Sequence, residues 1–168
     1  MTTPARWRRP RAFTIVELMI VVTIIALLGA MVMPAFQRVL QHVRGNTLVN
    51  DLRVFSAGLL QYAHSNGDYP ATSTAAGIFP PEMAGILAPD QWTRSAPIGG
   101  NYEFLRDTTV GGVSYRALIR VSAAAGTAIA FTSTQLLALD ERFDDGSLTA
   151  GQLFTNGAAL TTYYVVEK

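Results

Sequence analysis

Arg11-Ala-Phe-Thr-Ile-Val-Glu-Leu-Met-Ile-Val-Val-Thr-Ile-Ile-Ala-Leu-Leu-Gly-Ala-Met-Val-Met-Pro34 carries one charge after Arg11, the carboxylate of Glu17. Leu18 to Phe36 is a run of 19 residues whose only polar side chain is Thr23. At about 1.5 Å per residue a helix of this length spans roughly 28 Å, close to the hydrocarbon thickness of a bilayer. A mid-span acid costs about 2.5–3.5 kcal/mol on insertion scales, so an acid kept at bilayer depth is a functional candidate that needs a partner. Glu17 is that residue here.

Residues 1–12 are short, basic and Pro-containing, with Arg6, Arg8, Arg9 and Arg11 and no acid. Arginines before the apolar run and none within it predict a cytoplasmic N-terminus and a head on the far side of the membrane. From these residues alone three other origins stay open. One is a secretory signal peptide, whose apolar region would be shorter and followed by a small-x-small cleavage site. Another is a plain signal anchor, which leaves Glu17 unexplained. The third is a buried core helix, which the basic flank and the length oppose.

Arg11-Ala12-Phe13-Thr14-Ile15-Val16-Glu17-Leu18-Met19-Ile20-Val21-Val22 resembles the class III signal of type IV prepilins and type II secretion pseudopilins. In that family a basic leader ends in a small residue, usually Gly, and the mature chain begins with Phe or Met and has Glu at its fifth position. Counted from Phe13, Glu17 is fifth; Ala12 stands where Gly is the rule and is likewise small. Pro34 corresponds to a Pro common deeper in the family's apolar helix. The resemblance implies that a prepilin peptidase cuts between Ala12 and Phe13 and methylates the new Phe13 amine. It also implies that the Phe13 ammonium of one subunit meets the Glu17 carboxylate of its neighbour in a filament. Such a pair in a low-dielectric core would act mainly on register, because a slipped subunit leaves a buried charge unpaired. Pro34 removes one backbone donor and is expected to allow a bend or local unwinding.

Apolar residues recur at Phe36, Val39, Leu40, Val43, Leu48, Leu52, Phe55, Leu59 and Tyr62, a helical period over about seven turns. Asn66-Gly67 supplies a stop. The expected helix runs from about Thr14 to Ser65. The expected organisation is a cleaved leader (1–12), a transmembrane or filament-core half-helix (13–36), an amphipathic half (37–66) and a periplasmic head (67–168). Within the head, Asn66-Gly-Asp-Tyr-Pro70 resembles the step that follows the long helix in many major pilins and pseudopilins. Expected elements are a short helix near Pro81–Leu87, strands over Asn101–Arg106 and Val113–Val121 joined by a loop at Thr109–Gly112, and a helix over Thr134–Arg142. A strand over Gln152–Thr155, a tight turn at Asn156-Gly157 and a strand over Leu160–Glu167 complete the head. The fold class is therefore α+β and type IV pilin-like: a long N-terminal helix whose outer half packs on an antiparallel sheet of about four strands. Tyr163 and Tyr164 are neighbours on a strand, so one of them is expected to be exposed.

The formal net charge of +1 conceals an uneven distribution, since four of the 13 basic residues lie in the first twelve positions and the rest of the chain is acidic on balance. No basic patch argues for nucleic acid, and the absence of cysteine rules out disulfides and thiolate metal sites. His42 and His64 lie 22 residues apart on one predicted helix, too far to share a site. No nucleophile has a base at a fitting spacing, so an enzyme is not expected. Asp140, Asp144 and Asp145 are the one candidate metal set, for Ca²⁺, which some major pseudopilins bind in their C-terminal region and which favours clustered oxygen ligands. Their spacing is not that of an EF-hand, and a solvated turn explains Asp144-Asp145-Gly146 as well. No cofactor is otherwise expected.

The resemblance points to a pseudopilin of a type II secretion system, with a prepilin peptidase/methyltransferase, other pseudopilins, an inner-membrane assembly platform and membrane lipid as partners. The rivals are a type IV pilus subunit for adhesion, motility or DNA uptake, and a membrane-anchored periplasmic binding module.

Overall fold

A computed structural model describes residues 13–123, 127–157 and 160–168. The leader residues 1–12, including Ala12, lie outside the described residues. Contacts divide the chain into two units, the first ending at Leu40 and the second running from Gln41 to Lys168.

Helix α1 spans Ile15–Asn66, 52 residues, within one residue of the expected ends. Thr14 starts it: its Oγ1 accepts the Glu17 backbone N–H at 3.2 Å, taking up one of the donors left free in a first turn. Gly67 ends it in the left-handed region, at φ 81°, with its N–H bonded to Ala63 O at 2.8 Å. The Asn66 side chain donates to Tyr62 O at 3.0 Å, so the Asn-Gly pair satisfies two of the last carbonyls. Pro34 lies inside the helix, which continues on both sides of it.

In the first unit every residue of α1 is exposed, including Ile15 at 79% and Met31 at 78%. In the second unit the buried face of α1 begins at Gly45 and continues through Leu48, Val49, Leu52, Phe55 and Leu59. The amphipathic stripe therefore starts later than the expected Phe36. Phe36, Val39, Leu40 and Val43 share the period but lie exposed, because burial of α1 begins only at Gly45, which Leu139 of the later segment Ser133–Phe143 meets. Two buried glycines permit close approach. A Cβ on Gly45 would come within 2.8 Å of Leu139, and one on Gly58 within 2.5 Å of Leu87.

The 3-10 turn Pro81–Met83 and helix α2, Pro89–Thr93, interrupt the loop that follows α1. The helix expected over Pro81–Leu87 shrinks to three residues because Gly85 turns left-handed at φ 88° and breaks the repeat. Helix α2 was not expected; Pro89 at its first position was its signal. Strands β1 (Asn101–Val110) and β2 (Val113–Ser122) are longer than expected. Their connection is the two-residue turn Gly111-Gly112 rather than a loop from Thr109, with both glycines at positive φ as a type I′ turn requires. Helix α3 (Ser133–Phe143) opens with a capping box between Thr132 and Gln135. Strands β3 (Leu153–Asn156) and β4 (Thr161–Glu167) close the sheet. Gly157 and Leu160 both lie between them, so the connection is longer than an Asn-Gly two-residue turn.

The sheet is antiparallel in the order β1-β2-β4-β3. Tyr102, Phe104, Ile119, Val121, Leu153 and Tyr164 join α1 residues in the main core. Phe55 anchors it against Trp92 (centroids 4.8 Å) and Tyr102 (4.9 Å, edge-on). The opposite sheet face has its own cluster around Leu118, Phe154 and Tyr163, with Phe154 and Tyr163 stacked at 5.2 Å. Tyr163 and Tyr164 do point to opposite faces, but both are buried, contrary to the expected exposed tyrosine.

Both sheet edges are partly covered. Ser73 N donates to Phe104 O at 2.9 Å and Gly77 N to Tyr102 O at 2.8 Å, while Ser73 Oγ and Thr72 Oγ1 accept from the Phe104 and Arg106 amides. On the other side Thr155 N donates to Leu148 O at 2.8 Å. Edges so covered offer little to a neighbouring strand.

Candidate functional site

Two sets of residues carry chemistry. The first is the start of α1. Phe13 is 69% exposed, and Glu17 is exposed in the first helical turn. Thr14-Ile-Val-Glu17 has the T-x-x-E spacing of an N-terminal cap, and Thr14 supplies its half of it. Thr14 was expected as the helix start but not as its cap, although that spacing was the signal. An acid in the first turn is favoured by the helix dipole, which gives Glu17 a local role in shaping the helix end. The dipole supplies no full counter-charge, and among the described residues no cation lies within ion-pair distance of Glu17. Pro34 sits within the same exposed apolar stretch.

This stretch is the one helix, among the described residues, long and apolar enough to cross a membrane, and none of its most apolar window is buried. Soluble monomers rarely expose so large a continuous apolar surface, so it requires lipid or other apolar partners.

The second set is Asp140, Asp144 and Asp145, which α3 and the turn after it bring together. One carboxylate oxygen from each lies within 4.8 Å of the others. Asp140 is wholly buried on the last turn of α3, with neither carboxylate oxygen hydrogen-bonded. Burial pushes its pKa above the ordinary value. The nearby amides of Ser147 and Gly146, neither of which makes a hydrogen bond to it, partly oppose this, and the charges of Asp144 and Asp145 add to it. Asp144 is already engaged: its Oδ2 accepts the amides of Gln152 and Leu153. Gly151, at φ 89°, has no side chain because a Cβ there would collide with that carboxylate. Asp145 Oδ1 accepts Ser147 N at 2.8 Å. A free oxygen thus remains on each of Asp144 and Asp145 beside an unsatisfied, buried Asp140. That donor set fits a hard divalent cation with oxygen ligands.

The histidines do not join either set; His42 and His64 are both exposed and lie far apart on α1.

The family described as the prokaryotic N-terminal methylation motif matches residues 7–33. The fold aligns with the major Type IV pilin PilA1 from Clostridium difficile at a TM-score of 0.54 and 13% identity, covering 76% of this chain and 97% of that one. The chain is type IV prepilin-like in both motif and fold. The Type II secretion system core protein G of Pseudomonas aeruginosa is 26% identical over 112 residues, 62% of this chain and 79% of that protein. The matched motif takes in Phe13, Thr14, Glu17 and most of the exposed apolar stretch.

Proposed function

We propose that the chain is a pseudopilin: a non-enzymatic structural subunit that polymerises into the periplasmic pilus-like filament of a type II secretion system. Processing comes first, with cleavage between Ala12 and Phe13 on the cytoplasmic side and methylation of the Phe13 amine by a prepilin peptidase/methyltransferase. The leader holds four arginines, so its removal lightens extraction from the inner membrane, where the chain is single-pass with its head in the periplasm. The assembly platform then adds the subunit to a filament whose core is built from the Phe13–Phe36 helices. Each Glu17 carboxylate meets the Phe13 ammonium of the adjacent subunit.

The observation that carries this reading is the wholly exposed apolar start of α1, in which Glu17 has no ion-pair partner among the described residues. The partial cover of both sheet edges adds to it, because it favours the helix over strand addition as the means of assembly. The test is Glu17→Val in the full chain, with leader removal and filament formation scored separately. The expected result is normal leader removal with loss of filaments; normal filaments would overturn the proposal. A dependence on a secretin rather than a retraction motor separates the pseudopilus from a type IV pilus. A monomer that keeps its leader in the membrane would be a tethered binding module instead.

Asp140, Asp144 and Asp145 would hold one Ca²⁺, on the strength of the unpartnered buried Asp140. The ion would neutralise three acids and join the end of α3 to the segment leading into β3. Absence of both binding heat and thermal shift on adding Ca²⁺ would remove it.

A further inference from the structure

The arginines of the described residues fall into two groups. Arg94, Arg106, Arg116 and Arg120 each pair with a carboxylate. Among the described residues Arg38, Arg44, Arg53 and Arg142 pair with none, and all four are exposed. Arg53 and Arg142 each lie over the ring of Phe143, at 5.7 and 5.8 Å from its centroid.

Arg142 also borders a cleft of about 80 Å³ between α1 and α3. Its polar rim is Gln41, His42, Gln135 and Arg142, all able to donate hydrogen bonds, and no carboxylate lines it. Phe131 and Leu139 give it an apolar floor. The volume is well below the roughly 300–1,000 Å³ of sites that enclose a drug-sized molecule, so only a small group enters. Donors around an apolar floor suit an anion attached to an apolar body. Gln41 and His42 follow Phe36, the end of the apolar run, by five and six residues, which in a membrane-inserted chain is the level of the headgroups.

We infer that this cleft seats the headgroup phosphodiester of an anionic phospholipid from the periplasmic leaflet while the subunit waits in the membrane. The inference rests on the reading of Phe13–Phe36 as a membrane span. Arg142 and His42 hold the phosphate, the two glutamines take its remaining oxygens, and the glycerol carbons lie on Phe131 and Leu139.

Native mass spectrometry of the full chain, released from micelles holding equal phosphatidylglycerol and phosphatidylcholine, tests this. The expected result is preferential retention of phosphatidylglycerol. A basic side chain at a membrane surface contributes about fivefold in affinity, so Arg142→Gln should lower the preference by about that factor and His42→Gln/Arg142→Gln should abolish it. Arg116→Gln, at a paired arginine, should leave it intact, and far-UV circular dichroism checks that each variant is folded. Equal retention of both lipids, or a preference that survives the double substitution, would overturn the inference. So would binding of inorganic phosphate alone as tight as that of the lipid, or an oligo-glutamate peptide displacing the lipid, which would point to a free anion or an acidic protein. A chain that needs neither lipid nor detergent to stay in solution would instead overturn the membrane span itself.

Discussion

Nη2 of Arg94 donates to both carboxylate oxygens of Asp51, at 2.6 and 2.7 Å, and so joins the loop after α2 to the buried face of α1. Asp51 is only 5% exposed, and the Tyr102 hydroxyl donates to its Oδ2 at 2.9 Å. Burial, then the charge of Asp51, pushes the Tyr102 hydroxyl above its ordinary value, so it remains a donor. Arg94→Ala leaves the buried acid with the tyrosine alone. Breaking a fully buried pair costs about 3–5 kcal/mol, and Arg94 is half exposed, so a loss of about 1–3 kcal/mol is expected. Tyr102→Phe should cost about 1 kcal/mol. Urea unfolding of the two variants checks both values.

Gly58 and Leu87 form a matched pair, since a Cβ at Gly58 would fall 2.5 Å from Leu87 Cδ2 and 2.8 Å from its Cγ. Gly58→Ala gains about 1 kcal/mol in helix propensity but forces a buried leucine aside at about 1–3 kcal/mol. A net loss is expected. In a Leu87→Ala background the same substitution should stabilise, with a coupling of about 0.5–3 kcal/mol in a double-mutant cycle.

Asp68 predicts an acid-side effect. The Tyr69 amide holds its carboxyl below the ordinary value of 3.8, with partial desolvation opposing and Arg106 and Arg116 adding to the shift. A depressed folded-state pKa gives stability that is present above 3.8 and lost as pH falls through the folded value. Asp68→Asn should therefore melt below the wild type at neutral pH, and the two melting temperatures should converge in acid below 3.8. A gap that widens in acid would contradict this.

Ca²⁺ should raise the melting temperature of the wild-type head and leave that of Asp140→Asn unmoved. In chelator, Asp140→Asn should match or exceed the wild type, because an amide carries no charge to be buried beside Asp144 and Asp145. At 100-fold excess over its dissociation constant a ligand adds about 2.7 kcal/mol, which is ample for detection by scanning calorimetry.

Much of this architecture could be read from residue pattern. The Asn66-Gly67 stop and the start at Thr14 place α1 to within a residue, because local chemistry fixes both ends. The four strands and their antiparallel pairing follow from turn signals and alternation, whereas the order β1-β2-β4-β3, which sets β4 inside β3, does not. The onset of burial at Gly45 could not be read, since Phe36, Val39, Leu40 and Val43 continue the same period where no sheet covers them. The expectation that one of Tyr163 and Tyr164 is exposed failed because alternation assigns faces but does not show that Phe154 covers Tyr163. Of the candidate residues, Phe13 and Glu17 were visible as a motif. The Asp51–Arg94 tie and the orphaned Asp140 were not, because each depends on which distant segments fold over α1 or the end of α3.

The most direct test of the account is the N-terminal mass of the full chain recovered from membranes of cells that carry a prepilin peptidase. The predicted first residue is Phe13, bearing one added methyl on its nitrogen. A recovered chain that still begins with the arginine-bearing residues 1–12 would contradict it.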